Sequence, residues 1–88
     1  MSAEENRTVY FKGQFYSLSP LEYAVFTLLI LYEGEILCNN NLLRDVRGYM
    51  EDMSITAQNI EACMLRLRNM FGSDRVQSVN GQGYRLVP

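Results

Sequence analysis

The sequence predicts a small α+β domain in which a β-hairpin, three helices and a second β-hairpin follow one another along 88 residues. Aromatic and β-branched residues around a Lys-Gly turn predict the first hairpin over Thr8–Ser17. A complete helix-start signal follows directly at Leu18–Glu22. The second hairpin is expected where a four-residue turn, Asn80–Gly83, separates the strand-like runs Val76–Val79 and Tyr84–Val87.

The start of the first helix is the clearest local signal in the chain. Ser19 can cap the free N–H groups of the first turn, and Glu22, three residues on, can reach back to close a capping box. Pro20 occupies the first helical position, where its missing N–H does no harm. The helix should run from Pro20 to about Tyr32 and stop at Gly34. Its buried stripe should consist of Leu21, Val25, Leu28, Leu29 and Tyr32.

Two further helices are expected before the second hairpin. The second should take its cap from Asn39–Asn41, bury Leu42, Leu43 and Val46, and end at Gly48. A loop over Tyr49–Ser54 should follow. The third helix should begin at Ile55 or Thr56, run to Phe71 and stop at Gly72. At 100° per residue its core stripe should be Ile60, Met64, Leu67 and Phe71.

The face of the third helix opposite that stripe is mainly polar. It carries Gln58, Ala62, Leu65 and Asn69, with Arg66 beside them. In a small domain such a face is usually only solvated, next to a structural hairpin. The functional alternative places the helix in the major groove of DNA, where Gln, Asn and Arg side chains can contact base edges in pairs of hydrogen bonds. The residue pattern alone leaves both interpretations open.

Charge is distributed unevenly along the chain. The formal net charge is −2 and the sequence pI is about 5.0, whereas nucleic-acid binders usually present a cationic surface. Residues 1–61 carry four basic residues against nine acids, but residues 62–88 carry four arginines against Asp74 alone. Contacts with phosphates are therefore expected from the carboxyl-terminal part, with Arg75 and Arg85 as candidates beside the second hairpin.

Length and composition limit the other possibilities. We expect one domain over residues 8–88 behind a flexible tail over residues 1–7. The chain has no histidine, and Cys38 and Cys63 lie in separate segments, so we expect reduced thiols packed as small apolar residues, no metal, no cofactor and no catalytic site. The longest apolar stretch, Val25–Tyr32, is too short to span a bilayer. A cytoplasmic protein without a membrane partner is expected.

Four groups of residues, in order and without large gaps, are similar to motifs of one known family. Leu18–Tyr23 is similar to L-T-x-x-E-x at the start of a first helix, and Leu42–Gly48 to L-L-x-x-V-W-G. Ile60–Glu61 and Arg66–Arg68 are similar to the V-D and R-L-R of a recognition helix. Val76–Leu86 closely resembles a wing that reads V-x-T-V-R-G-x-G-Y-R-L. Together they resemble the OmpR/PhoB-type winged-helix domain of bacterial transcription regulators.

The resemblance implies a winged helix-turn-helix that regulates transcription by binding promoter DNA. Its recognition helix (residues 56–71) would enter the major groove, and its wing (residues 76–87) would lie near the minor groove. The implied DNA contacts are Gln58, Asn59, Arg66, Arg68, Ser78 and Asn80, to which the charge distribution adds Arg75 and Arg85. The loop between helices two and three (residues 47–54) meets RNA polymerase in some members. The corresponding residues are Arg47, Tyr49, Glu51 and Asp52.

Departures from the family pattern support an alternative function. Gln58 and Asn80 stand where the family often has arginine, and Leu65 lies at the centre of the outer face. A protein-interaction module with weak or no DNA binding, acting on another regulator through Ala62, Leu65 and Asn69, is therefore the alternative. Family members usually carry a larger amino-terminal sheet behind a receiver domain. We expect a stand-alone domain, shortened at its amino terminus, that gains affinity by pairing with a second copy.

Overall fold

The computed structural model describes residues 7–88, and their architecture confirms the predicted order of elements. The elements are β1 (Thr8–Phe11), β2 (Gln14–Ser17), α1 (Pro20–Leu31), β3 (Leu37–Cys38), α2 (Asn39–Met50), α3 (Ala57–Phe71), β4 (Val76–Val79) and β5 (Gly83–Leu86). Strands β1 and β2 form one antiparallel sheet, and the other three form a second sheet in the order β3-β5-β4. The predicted flexible tail lies outside the described residues except for Arg7, whose backbone carbonyl accepts the N–H of Leu18 at 2.9 Å.

The first hairpin packs on the end of the third helix. Its turn residues Lys12 and Gly13 have φ values of +49° and +82°, the left-handed conformation that a two-residue hairpin turn requires. Phe11 and Tyr16, on its inner face, place their ring centroids 5.1 Å and 5.2 Å from that of Phe71. These aromatic contacts fix the hairpin against α3.

Helix α1 begins as predicted and ends slightly earlier. The N–H of Glu22 donates to Ser19 Oγ at 3.1 Å, and the N–H of Ser19 donates to Glu22 Oε1 at 3.0 Å, so the capping box is complete. Val25 and Leu29 are fully buried, as expected. The prediction that Tyr32 belongs to the buried stripe was wrong. Tyr32 is the capping residue at which the chain leaves the helix, and its side chain is exposed.

Helix α2 differs from the prediction at both ends. Cys38, not an asparagine, occupies the N-cap position, and it makes no regular side-chain capping bond. The helix continues through Gly48 to Met50, because Glu51 takes the left-handed conformation (φ +53°) and performs the terminating function expected of the glycine. The N–H groups of Glu51 and Asp52 return to the carbonyls of Gly48 and Arg47 at 3.3 Å and 3.0 Å.

Helix α3 starts at Ala57, one residue after the later of its two predicted starts, and Thr56 is its N-cap. The N–H of Asn59 donates to Thr56 Oγ1 at 3.2 Å and the N–H of Thr56 donates to Asn59 Oδ1 at 2.9 Å, which makes a second capping box. Gly72 ends the helix, as expected. The four predicted core residues of this helix are all buried: Ile60, Met64, Leu67 and Phe71.

The turn of the second hairpin is one residue shorter than predicted. Gly83 belongs to β5, where it pairs with Val79 on one side and with Cys38 on the other. A Cβ atom at position 83 would overlap the backbone carbonyl of Leu37. This glycine is therefore required by the close approach of β3 to β5, and only residues 80–82 form the turn.

Candidate nucleic-acid interface

The outer face of α3 is open to solvent along the length of the helix. The exposed side chains on it are those that the helical periodicity predicted, namely Gln58, Ala62, Leu65 and Asn69, with Arg66 at their edge. Leu65 lies in the middle and is 59% exposed. The inner face of the same helix is occupied by the core, so the polar outer face is held in a fixed orientation by packing on the opposite side.

Arg66 is held by a residue of the first helix. Its Nε donates to Glu22 Oε2, while its own side chain stays 50% exposed and that of Glu22 is 7% exposed. Burial raises the pKa of Glu22, but hydrogen bonds from Ser19 and from Arg66, together with the Arg66 charge, outweigh burial and leave the pKa lowered. The hydrogen bond to Glu22 likewise raises the pKa of Arg66. The pair is therefore fully ionised at neutral pH.

The thiol of Cys63 lies beneath this ion pair. Cys63 is fully buried, and burial, reinforced by the nearby Glu22 carboxylate, raises its pKa to about 11. The thiol is therefore neutral at neutral pH. Its burial confirms the expectation of a thiol packed as a small apolar residue. Cys38 contradicts that expectation, because it is exposed at the start of α2. The N–H groups of Asn41 and Asn40 lower the pKa of its thiol.

Arg68 lies on the flank of α3 that faces the second sheet. Its side chain is half-buried, and its Nε is buried without a hydrogen-bond partner within residues 7–88. Tyr84 of β5 lies close by. Burial and the Glu61 carboxylate raise the pKa of the Tyr84 hydroxyl, and the charge of Arg68 acts in the opposite direction. The Arg68 charge is thus carried at the junction between the helix and the second hairpin.

The capping box of α3 partly occupies Asn59. Its carbonyl oxygen accepts the N–H of Thr56, so the amide N–H₂ group is the part of this exposed side chain that remains without such a bond. Gln58, the next residue towards the amino terminus, is exposed and keeps both polar groups free among the described residues. Of the two, Gln58 is better able to make a paired contact with a base edge.

The second hairpin presents its polar residues on two surfaces. Ser78 and Asn80 are exposed, and Asn80 begins the turn. Arg85 lies opposite Gln77 in the ladder, and its Nε and Nη2 donate to Gln77 Oε1 at 3.2 Å and 2.6 Å. Because Gln77 is neutral, this pairing orients Arg85 without cancelling its charge.

Arg75 lies at the base of the hairpin rather than near its turn. Its guanidinium carbon is 5.5 Å from the centroid of the Phe11 ring, a cation–π arrangement. A shallow cavity of about 80 Å³ adjoins it, lined also by Phe26, Glu33 and Phe71. The structure therefore places Arg75 against the first hairpin, separate from Arg66.

The segment between α2 and α3 is braced by its own residues. Arg47 Nε donates to the carbonyl of Ile55 at 2.8 Å. Asp52 Oδ1 accepts from the N–H and the hydroxyl of Ser54 at 3.0 Å and 2.6 Å, and these bonds lower the Asp52 pKa. Tyr49, which was expected in the loop, lies on the last turn of α2 and is exposed.

The chain matches, over residues 13–86, the family described as "Transcriptional regulatory protein, C terminal". It belongs to that family. The transcriptional regulator HilA of Salmonella typhimurium is 33% identical over 74 residues, which are 80% of this chain and 13% of HilA. The response regulator protein PmrA of Pseudomonas aeruginosa is 34% identical over 74 residues, which are 84% of this chain and 33% of PmrA. The chain thus spans only a minor part of these relatives.

Solved structures show the same fold. The DNA-binding domain of Bacillus subtilis CssR superposes with a TM-score of 0.74 at 24% identity and covers 94% of this chain and 93% of that one. The resemblance to the OmpR/PhoB-type winged helix is therefore confirmed, as is the prediction of a transcriptional regulator domain. The protein-interaction alternative gains no better support from these matches.

Two features of this transcriptional regulatory domain were missed by sequence reasoning. The capping motif fully explained Glu22, so nothing in the local pattern indicated that its second oxygen would bind Arg66, 44 residues away. Met53, exposed between α2 and α3, was passed over although an apolar residue next to Asp52 in a short polar loop is an available signal. Within residues 7–88, no helix has the length and apolar character needed to cross a membrane.

Proposed function

We propose that this domain binds specific sequences in double-stranded promoter DNA, with α3 in the major groove and the β4–β5 hairpin as the wing. The observation that carries the proposal is the two-sidedness of α3. Its inner face is part of the core, and its outer face offers exposed amide and guanidinium groups on a surface unobstructed by the described residues. A helix held in this way can approach base edges without rearranging the fold.

The proposed contacts divide by chemistry. Gln58 and Arg66 would read bases, because an amide and a guanidinium can each make two hydrogen bonds to one base edge. Arg68 and Arg85 would meet phosphates, where charge matters more than orientation.

The remaining candidates are weaker contacts. Ser78 and Asn80 would contact the DNA backbone from the wing, and Asn59 would donate a hydrogen bond through its free amide group. Arg75 is the weakest candidate, since it stacks on Phe11 at the base of the hairpin.

Affinity of the isolated domain should be low. The net charge is −2, and the positive charge of Arg66 is offset by Glu22. Since the salt-dependent part of DNA binding grows with the number of phosphates that are neutralised, few free cations mean weak binding. We propose that a second copy on an adjacent half-site supplies the missing affinity.

The decisive experiment has two parts. A randomised duplex pool is first taken through rounds of selection by the full chain, and the selected duplex is then compared with a mixed-sequence duplex by fluorescence anisotropy at two salt concentrations. We expect an enriched sequence and binding that weakens with salt. Failure to enrich any sequence, with no binding at low salt, would contradict the proposal.

Arg66 is the side chain whose loss should reduce discrimination most. Arg66→Ala is expected to lower affinity for the selected duplex by about 1–3 kcal/mol, the range for a paired base contact, and to leave the mixed-sequence duplex less affected. Arg75→Ala is the matched control, because it removes the same charge at the base of the hairpin. Equal losses for the two variants on both duplexes would argue against α3 as the reading element.

Leu65 favours a second candidate function. A leucine that is 59% exposed at the centre of the outer face, beside Ala62, suits an apolar partner protein. Leu65→Arg separates the candidates, because the added cation should leave DNA affinity equal or higher. A marked loss of DNA affinity in a folded Leu65→Arg protein would oppose the DNA-binding arrangement. Unchanged capture of a partner protein by that variant would oppose the second candidate.

We also propose that the segment between α2 and α3 is a protein contact, with RNA polymerase as the partner. Tyr49 and Met53 expose apolar surface beside the carboxylates of Glu51 and Asp52, and Arg47 braces the segment through the Ile55 carbonyl. Such a surface lies beside α3 and would remain accessible with the helix in the groove. In this proposal the protein acts in the cytoplasm and has no catalytic role.

A further inference from the structure

We propose that Glu22 is a specificity-determining residue for DNA. It acts as a positioning residue, because it holds the Arg66 guanidinium in one orientation and cancels that charge for non-specific attraction to phosphates. This inference rests on the proposed DNA-binding function. Glu22 is a buried carboxylate on α1, whereas the proposed recognition surface lies on α3.

The two carboxylate oxygens of Glu22 bind to two different elements. Oε1 accepts the N–H of Ser19 at 3.0 Å and completes the cap of α1. Oε2 accepts from Nε of Arg66 on α3. With both oxygens engaged and its side chain only 7% exposed, Glu22 has no freedom to follow Arg66 if that side chain moves. The position of the guanidinium is therefore set by the first turn of α1.

The guanidinium keeps the donors that a base requires. Pairing through Nε uses one of its five N–H groups, and the side chain remains 50% exposed. The buried thiol of Cys63 lies near the guanidinium and contributes to the raised pKa of Arg66. A side chain restrained before binding loses less conformational entropy on binding, so its directional contacts gain strength relative to its charge.

Arg85 pairs with a neutral residue and so provides a comparison for the pairing of Arg66 with an anion. Its partner Gln77 is neutral, so Arg85 is oriented but keeps its full charge for phosphates. The partner of Arg66 is an anion, so the pair is close to neutral at distances longer than its own separation. Sequence discrimination is the ratio of specific to non-specific affinity. Glu22 should raise it by weakening the non-specific term.

The test replaces Glu22 while preserving the cap. Glu22→Gln keeps one acceptor oxygen at the third helical position, where glutamine also completes a capping box. It replaces the oxygen that binds Arg66 with an amide N–H₂ group, so it removes both the charge and the bond to Arg66. Glu35→Gln is the matched control, since Glu35 is exposed, carries the same charge and forms no salt bridge with Arg66. Each 88-residue variant is titrated against the duplex selected by the wild type and against a mixed-sequence duplex, over a series of salt concentrations.

Releasing Arg66 should raise the affinity for the mixed-sequence duplex and lower the affinity for the selected duplex. For Glu22→Gln we expect tighter binding to the mixed-sequence duplex, with a salt slope steeper by about 0.9, the value for one additional phosphate contact. We expect the specificity ratio to fall about five- to a hundredfold, the discrimination that one paired base contact provides. Glu35→Gln should change neither the slope nor the ratio. In an Arg66→Gln background the effect of Glu22→Gln should vanish.

Several results would overturn the inference. They are an unchanged slope and ratio in folded Glu22→Gln, the same changes in Glu35→Gln, or an effect that persists without Arg66. Glu22→Met is measured in parallel, because an apolar isostere tolerates burial, and circular dichroism checks both folds. Loss of folding in both variants would assign Glu22 a purely structural role. A wild-type protein that selects no sequence refutes the proposed function itself, whereas a selective wild type with an equally selective Glu22→Gln refutes only this inference.

Discussion

Two helices of this domain begin with the same local device and use it differently. Helix α1 starts with Ser19 and Glu22, and helix α3 starts with Thr56 and Asn59, each pair forming a reciprocal capping box. Asn59 is exposed and closes its box with a carbonyl oxygen alone. Glu22 is buried and has a second oxygen, which binds α3. One local motif can therefore serve only its own helix, as at Asn59, or can also fix a distant side chain, as at Glu22.

The largest expected effect comes from removing the residue that does both. Glu22→Ala should lower the free energy of unfolding by about 2–3 kcal/mol, because it removes the capping bond and the anionic partner of Arg66 and leaves a cavity. The half-exposed Arg66 can regain hydration, which keeps the loss below that of a fully buried pair. Urea denaturation followed by circular dichroism measures it. A loss no greater than that of Asn59→Ala would remove the distinction between the two boxes.

A smaller and more even effect is expected from the hydroxyl caps themselves. Ser19→Ala and Thr56→Ala should each lower the free energy of unfolding by about 0.5–2 kcal/mol, the usual range for an N-cap. The two losses should be similar, because both hydroxyls accept one backbone N–H at 3.1–3.2 Å. The same denaturation assay checks this. A Ser19→Ala loss as large as that of Glu22→Ala would mean that the distant bond to Arg66 contributes little.

The smallest expected effect is a pH dependence of the free energy of unfolding, and it should arise only from the capping box of Ser19 and Glu22. The pKa of Glu22 is lowered in the folded protein, so its contribution to stability is complete above its unfolded-state pKa and is lost as pH falls through the folded-state pKa. The stability difference between wild type and Glu22→Gln should therefore shrink as pH is lowered from 6 towards 3. The difference for Asn59→Ala should stay constant, since neither Thr56 nor Asn59 titrates. A pH-independent Glu22→Gln difference would contradict the lowered pKa.

The sequence predicted those parts of the fold that depend on local chemistry. Ser19, Pro20 and Glu22 fixed the start of α1 because capping involves residues three apart. The end of α2 was predicted wrongly because glycine is the usual helix terminator, and Gly48 was therefore taken as the end. The helix instead ends where Glu51 adopts a left-handed conformation. Gly83 was placed in the turn because its actual requirement, the nearby carbonyl of Leu37, comes from another strand.

The outer face of α3 was predicted correctly as a surface, because helical periodicity alone determines which side chains share a face. What each arginine does was not predictable in the same way. The bond from Arg66 to Glu22 spans 44 residues and the bond from Arg85 to Gln77 spans a hairpin. Such pairings follow from tertiary packing and strand register, so a count of positive charges overstated the charge that is free.

The contact between Gly83 and Leu37 also has a consequence for the shape of nucleic acid that fits. Because β5 pairs with β3 at Gly83, only residues 80–82 of the hairpin project beyond the paired strands. The fold therefore fixes the distance between the hairpin tip and α3, and this distance must match the spacing of the grooves in a bound duplex. We expect the domain to reject A-form duplexes, whose deep and narrow major groove does not admit a helix at that spacing.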